Sequence, residues 1–239
     1  MAQRKKIRAL PTERAVVYPE SDGKPMAETD IHRKLMIDII KILENYFYFR
    51  PDVYVSGNLL LYYERGNRKK SVAPAVFVVF GIEKKNRRTY LLWEEGKGPD
   101  FVLELVSKKT YRKDLREKRD LYASVLSVKE YYLYDPDGLY LQPSLQGYRL
   151  VDGIYLPIQP SDERLSSEVL GLELGEDYGE LRLYNPLTKG WMLKPAEQAE
   201  ARAQQVEAKA QQEFQARQRA EAELARLRAE LEQLRSANE

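Results

Sequence analysis

The sequence predicts a mixed α/β domain, an α+β arrangement of a central mixed sheet flanked by helices, followed by one long C-terminal helix. Three observations carry this expectation. A helix-spaced apolar series lies near residue 30, short β-branched and aromatic runs fill the middle, and the tail after Pro195 holds neither Gly nor Pro. A chain of 239 residues is long enough for one sizeable domain plus an appendage. The expected division is a domain over residues 1–194 and a helix over 195–239.

Taken in order, Thr29 to Phe47 carries Ile31, Leu35, Ile39, Ile40, Leu43 and Phe47 on one side of a helix, with Thr29 as its N-cap. After Pro51 the period shortens. Val53–Val55, Leu59–Tyr63, Val76–Phe80, Tyr90–Trp93 and Phe101–Val106 read as strands separated by Gly, Asn and basic residues. A second helix is expected over Arg112–Val125, then a strand over Glu130–Tyr134 that stops at the turn Asp135-Pro136-Asp137-Gly138. From Tyr140 to Tyr184, apolar runs alternate with Gln146-Gly147, Asp152-Gly153 and Asn185-Pro186, which predicts antiparallel hairpins attached to the main sheet.

In the tail, Leu224, Leu227, Leu231 and Leu234 alternate three and four apart, and the register reaches back through Ala220, Val206, Ala203 and Ala199. Arg217 and Glu213 interrupt it. The seam predicts a coiled coil and a homo-oligomer; the alternative is a solvated single helix, because the upstream heptads are rich in Ala.

Composition narrows the chemistry. Without cysteine there are no disulfides or thiolate metal sites, and a single histidine removes most zinc and histidine-activated nucleophile mechanisms. Net charge is +2, from 39 basic and 37 acidic residues, which neither demands nor excludes nucleic acid. The basic N-terminus has no apolar run of signal-peptide length, and nothing approaches the ~20 apolar residues of a membrane span. A soluble, cytoplasmic protein with no membrane partner is the expectation.

Glu104 stands out from its neighbours alone. It sits within Phe101-Val102-Leu103-Glu104-Leu105-Val106, where burying an unpaired carboxylate costs several kcal/mol. A cation, a hydrogen-bond network or an open cleft must therefore compensate it, unless strand alternation simply turns it outward. Asp114, Lys118 and Tyr122 are spaced by four, which puts them on one helical face; an exposed Asp114–Lys118 ion pair is the alternative to a functional role.

The stretch from SVAPAVFVVFG through GPDFVLELVSKKTYRKDLREKRDLYASVLSVKEYYLYDP, with SDGKPMAETDIH, DVYVSGNLLLYYERGN and LQGY, resembles the Uma-type restriction endonuclease family, the domain of unknown function 820. That family is a branch of the PD-(D/E)XK nuclease superfamily. The resemblance runs from about Tyr18 to Tyr184 and implies a restriction-endonuclease-like fold and Mg²⁺-dependent hydrolysis of DNA phosphodiesters. It implies Glu104 as a metal ligand and catalytic residue. It also places Pro74-Ala75 where a Pro-Asp pair is expected, so the partner ligand is missing and activity is expected to be impaired.

The lysine of the (D/E)xK segment is displaced as well, since Val106 stands two residues after Glu104; the resemblance puts Lys118 in its place, with Asp114 and Tyr122 as accessory residues. Glu28 falls in the family's acidic helix-start motif, or else favours the positive end of the helix dipole. Asp100 and Glu104 lie about 13 Å apart on one strand, too far to grip one ion whose ligands stand about 2 Å away, so Asp100 reads as a turn residue. His32 reads as structural or surface, and Ser107 lacks a base that would make it a nucleophile. Basic clusters Arg4-Lys5-Lys6, Arg68-Lys69-Lys70 and Lys84-Lys85-Asn86-Arg87-Arg88 flank turns; Lys84, Lys85, Arg87 and Arg88 are expected to contact the DNA backbone. The alternative function is a non-catalytic DNA- or protein-binding assembly protein on the same fold.

Overall fold

The computed structural model describes residues 16–21, 23 and 29–236. Helix α1 (Asp30–Tyr46) begins as predicted: the Thr29 hydroxyl accepts the His32 backbone N–H, satisfying one of the helix's orphan donors. Its apolar face buries Leu35, Ile39, Ile42 and Leu43.

The central sheet is built from β1 (Val53–Ser56), β4 (Val76–Phe80), β6 (Phe101–Leu105), β7 (Glu130–Tyr134), β8 (Leu145–Val151) and β9 (Ile154–Pro157), in that spatial order. Between β1 and β4 come β2 (Leu61–Tyr62) and β3 (Ser71–Val72), which with β5 (Tyr90–Leu91) form a small side sheet. Only β6 and β7 run parallel in the central sheet, so the chain between them must cross over. It does so through α3 (Tyr111–Lys113), a π-helical turn (Asp114–Lys118) and α4 (Arg119–Ser124).

Both faces of this sheet are covered, which explains why β6 and β7 are buried at every position. Alternation divides the side chains. On one face Val76, Val78, Phe101 and Leu103 pack with α1; on the other Phe77, Val79, Val102 and Val106 pack with Tyr122 and Tyr131. Glu104 belongs to the second series, with Val102 and Val106, and therefore faces the crossover helix.

Three expectations need correction. The segment read as a strand over Tyr90–Trp93 stops at Leu91 and turns into α2 (Leu92–Glu95), which Gly96 ends with a left-handed φ of 73°. The helix expected over Arg112–Val125 is not uniform, since its middle turn widens to i→i+5 bonding. The hairpins expected on the main sheet are split: β8 and β9 join it, whereas β10 (Arg164–Ser167), β11 (Leu172–Asp177), β12 (Glu180–Asn185) and β13 (Gly190–Trp191) make a separate antiparallel sheet.

Buried Glu130 ties this second sheet to β7. Its carboxylate accepts the Ser167 hydroxyl and the Glu168 N–H, and its partner across the strand pair is Arg149. The tail forms a unit of its own over Leu193–Glu239, carrying one helix, α5 (Pro195–Ser236). No helix among the described residues is long and apolar enough to cross a membrane.

Candidate active site

The site is assembled at the end of β6 by strand register. In the antiparallel pair β4–β6, Val76 faces Leu103, so the next step sets Ala75 beside Glu104. The Ala75 backbone N–H donates to Glu104 Oε2 at 3.3 Å. Behind Ala75 the chain passes very close, because a Cβ on Gly57 would fall 2.0 Å from the Ala75 carbonyl oxygen. Only glycine permits that approach.

Glu104 is buried, and its other oxygen is held from the crossover. The Tyr122 hydroxyl donates to Oε1 at 2.6 Å, and Lys118 Nζ stands 3.0 Å from the same atom. Lys118 Nζ also lies 2.9 Å from Asp114 Oδ1, so one ammonium is ion-paired with both carboxylates. Asp114 is fully buried, and apart from the Lys118 ammonium its carboxylate oxygens have no hydrogen-bond donor among the described residues. The π-helical turn is what brings Asp114 and Lys118 to this depth together, and the Tyr131 hydroxyl braces it by donating to the Asp114 carbonyl at 2.9 Å.

Two carboxylates thus share one ammonium in a dry setting. Burial pushes Glu104 above the usual carboxylate range, with Lys118 opposing and Asp114 adding to the rise. For Lys118, burial favours the neutral amine, but the Glu104 and Asp114 carboxylates overcome it and hold the ammonium charged beyond an ordinary lysine. Burial, then the Glu104 charge, keeps the Tyr122 hydroxyl protonated and therefore a donor.

Glu104, Lys118 and Ala75 all line one cleft of 460 Å³, together with Ser107, Lys108 and Tyr140. The sequence-derived group Glu104, Lys118, Asp114 and Tyr122 is therefore brought together, although Asp114 lies behind Lys118 and does not reach the cleft wall. Glu28 lies outside the described residues.

A divalent ion does not fit the donors as they stand. Glu104 already accepts at both oxygens, Ala75 has no side-chain oxygen, and no cluster of three or more His, Asp or Glu able to hold a metal exists among the described residues.

The cluster expected to touch DNA does not lie at the cleft, and Arg87 is corrected outright. Its side chain is 3% exposed, forked onto Glu95 at 2.7 and 2.8 Å and laid over the Tyr54 ring, so it has no free face for a phosphate. Lys85 pairs with Glu83 and Arg88 with Glu20, while Lys84 sits over Tyr48. Asp100, at the opposite end of β6 from the cleft, is more than a turn residue: it is 2% exposed, accepts the Phe80 N–H and pairs with Lys97 and Lys129.

His32 is structural, as the sequence suggests, and its job is specific. Its Nε2–H donates to the Val106 carbonyl at 2.8 Å and its Nδ1 accepts from the Thr29 hydroxyl at 2.6 Å, fastening α1 to the strand end that carries Glu104. No local pattern in the sequence signals that long-range pairing.

Removing the one cation should expose the cost of the cluster. Lys118→Met leaves Glu104 and Asp114 buried without a cation and removes the charge that opposes the rise in the folded-state pKa of Glu104. A carboxyl whose folded pKa exceeds its unfolded value of about 4.3 holds a proton that unfolding releases, so stability falls as pH climbs through that interval. Urea unfolding is expected to show a deficit of about 3–5 kcal/mol at pH 8 and a smaller one at pH 5. An equal loss at both pH values contradicts the shared-ammonium arrangement.

No curated protein matches the chain. Among solved structures, a protein described as a putative nuclease belonging to DUF820, from Anabaena variabilis, is similar at 14% identity, with a TM-score of 0.46 over 63% of this chain and 81% of that one. The Uma2 family, described as "Putative restriction endonuclease", matches residues 5–177, from before the described N-terminal residues to the end of β11. With that match extending over more than half its length, the chain belongs to the Uma2 family.

Proposed function

We propose that this chain is a DNA-binding nuclease-fold protein in which Mg²⁺-dependent phosphodiester hydrolysis is crippled at a single position, residue 75. The observation that carries the reading is the Ala75–Glu104 hydrogen bond: the backbone N–H of residue 75 touches the Glu104 carboxylate, and both residues line the same cleft. A carboxylate introduced at position 75 would join Glu104 there and supply the second oxygen set that the present donors lack. A divalent ion held between them would activate water and neutralise charge on the phosphate.

The alternative, a binding or assembly protein with no hydrolytic role, draws support from how fully Glu104 is engaged by Tyr122, Lys118 and the Ala75 N–H. Plasmid nicking separates the two. Under Mg²⁺ or Mn²⁺, Ala75→Asp is expected to nick at least about 100-fold faster than the native chain, and Glu104→Ala in that background should abolish the gain. Fast nicking by the native protein, or no gain in the variant, contradicts the crippled-nuclease reading; the second result favours the binding protein.

The reading includes self-association through α5. Val206, Leu224, Leu227 and Leu231 are each about half or more exposed along a three-four spaced seam, while Arg217–Glu221 and Arg226–Glu230 pairs support the helix at i,i+4. Light scattering of the full chain should give a mass above that of one 27.9 kDa protomer, and Leu224→Ser/Leu227→Ser/Leu231→Ser should return it to one. A native monomer at micromolar concentration overturns this part.

A further inference from the structure

The crossover helix has a second face. Between residues 107 and 119 the chain carries seven Lys or Arg against two acidic residues. Lys118 is spent on Glu104 and Asp114, and Arg119 lies over the Tyr148 ring. Lys108, Lys109, Arg112, Lys113 and Arg116 are all exposed, and among the described residues no carboxylate pairs with any of them. The 84–88 cluster differs, since three of its four cations, Lys85, Arg87 and Arg88, pair with Glu83, Glu95 and Glu20. Arg112, Lys113 and Arg116 lie on the exposed side of the crossover, with Lys108 and Lys109 in the turn just before it. The opposite face is the one that buries Asp114 and Tyr122.

The stripe leads into the cleft. Lys108 and Lys109 line its wall beside Glu104, and so does Tyr140, which stacks on Tyr111 with ring centroids 5.2 Å apart and planes 25° from parallel. Arg112 in turn lies over the Tyr111 ring, 5.4 Å from its centroid. Uncompensated cations running along the exposed side of the crossover into a pocket lined by Tyr140, one ring of that stacked pair, have the two components of a single-strand site: charge that follows the phosphates and a π-surface for a base. A cleft of 460 Å³ is on the scale of one nucleotide and far too small for a duplex.

We propose that the Lys108–Arg116 stripe and Tyr140 bind single-stranded DNA without a metal ion, the stripe holding phosphates and Tyr140 receiving one base in the cleft. The inference rests on the reading of this cleft as a DNA site, but not on its hydrolytic competence, since cations rather than a divalent ion meet the phosphates.

The test is fluorescence anisotropy of the full native chain with a labelled 20-nucleotide single strand in EDTA, between 50 and 200 mM salt. Micromolar binding is expected, weakening with salt. Lys109→Ala/Arg112→Ala/Lys113→Ala/Arg116→Ala should weaken it at least tenfold and flatten the salt dependence by about 0.7 in log–log slope for each phosphate that is no longer neutralised. These side chains are exposed, so circular dichroism should be unchanged. Tyr140→Ala should weaken binding about tenfold without altering the salt slope, and Lys84→Ala/Lys85→Ala should bind like the native chain.

Several results would overturn the proposal: no binding at 50 mM salt, an unaltered quadruple variant, equal affinity for a blunt duplex, or equally effective competition by poly-glutamate. The two readings fail separately. Strand binding through the stripe, with no nicking by Ala75→Asp, sinks the hydrolytic reading alone; nicking that survives removal of the stripe, with native affinity, sinks this one alone.

Discussion

A carboxylate, an ammonium and a second carboxylate buried side by side make a demand that the surrounding structure has to meet. Glu104 cannot sit inside β6 unless Lys118 reaches it, and Lys118 cannot reach it unless the crossover helix packs flat on that face of the sheet. Asp114 then needs Lys118 as well, because among the described residues that ammonium is the one partner of its buried carboxylate. Removing one member of such a group leaves an uncompensated charge in a dry place, which is far costlier than losing a surface pair. The rest of the domain is arranged around this: Tyr122 closes Glu104 from the helix, Tyr131 braces the widened turn, and His32 ties α1 to the carbonyl of Val106.

The same arrangement decides what the cleft can do. An ammonium, a tyrosine hydroxyl and the Ala75 backbone N–H stand against Glu104, so the carboxylate is held in place with no side-chain oxygen supplied from position 75. Position 75, the residue just before β4, hydrogen-bonds Glu104 through its backbone N–H, so a substitution there bears directly on the donor set. Meanwhile the outward face of the crossover helix keeps its positive charge unmatched. One helix thereby serves burial on one side and presents cations on the other, a division that the amphipathic period of the sequence permits.

Much of this was legible in the residues. A glutamate flanked by Leu103 and Leu105 announces an unusual burial, and the four-residue spacing of Asp114, Lys118 and Tyr122 correctly puts them on one face. The identity of position 75 as the expected partner came from resemblance, and strand register places it against Glu104. Other features depend on partners distant in sequence, which local pattern does not encode. The π-helical turn is stabilised by Tyr131 from the neighbouring strand, Arg87 is captured by Glu95 and Tyr54, and the late hairpins separate into their own sheet around Leu172, Leu174, Leu181 and Leu183. The basic run at 108–116 was not among the clusters that the sequence singled out. Its meaning depends on which cations find carboxylates, and the fold pairs Lys85, Arg87 and Arg88 of the 84–88 cluster while leaving Lys108, Lys109, Arg112, Lys113 and Arg116 without a carboxylate among the described residues.

The central claim is the proposal that residue 75 is the position of a missing metal ligand beside Glu104. Isothermal titration of the full chain with Mn²⁺ tests it most directly. The account predicts no saturable binding by the native protein and one ion per chain bound by Ala75→Asp, abolished when Glu104→Ala is added. Saturable binding by the native protein that disappears in Glu104→Ala would contradict it, since the donors present would then suffice.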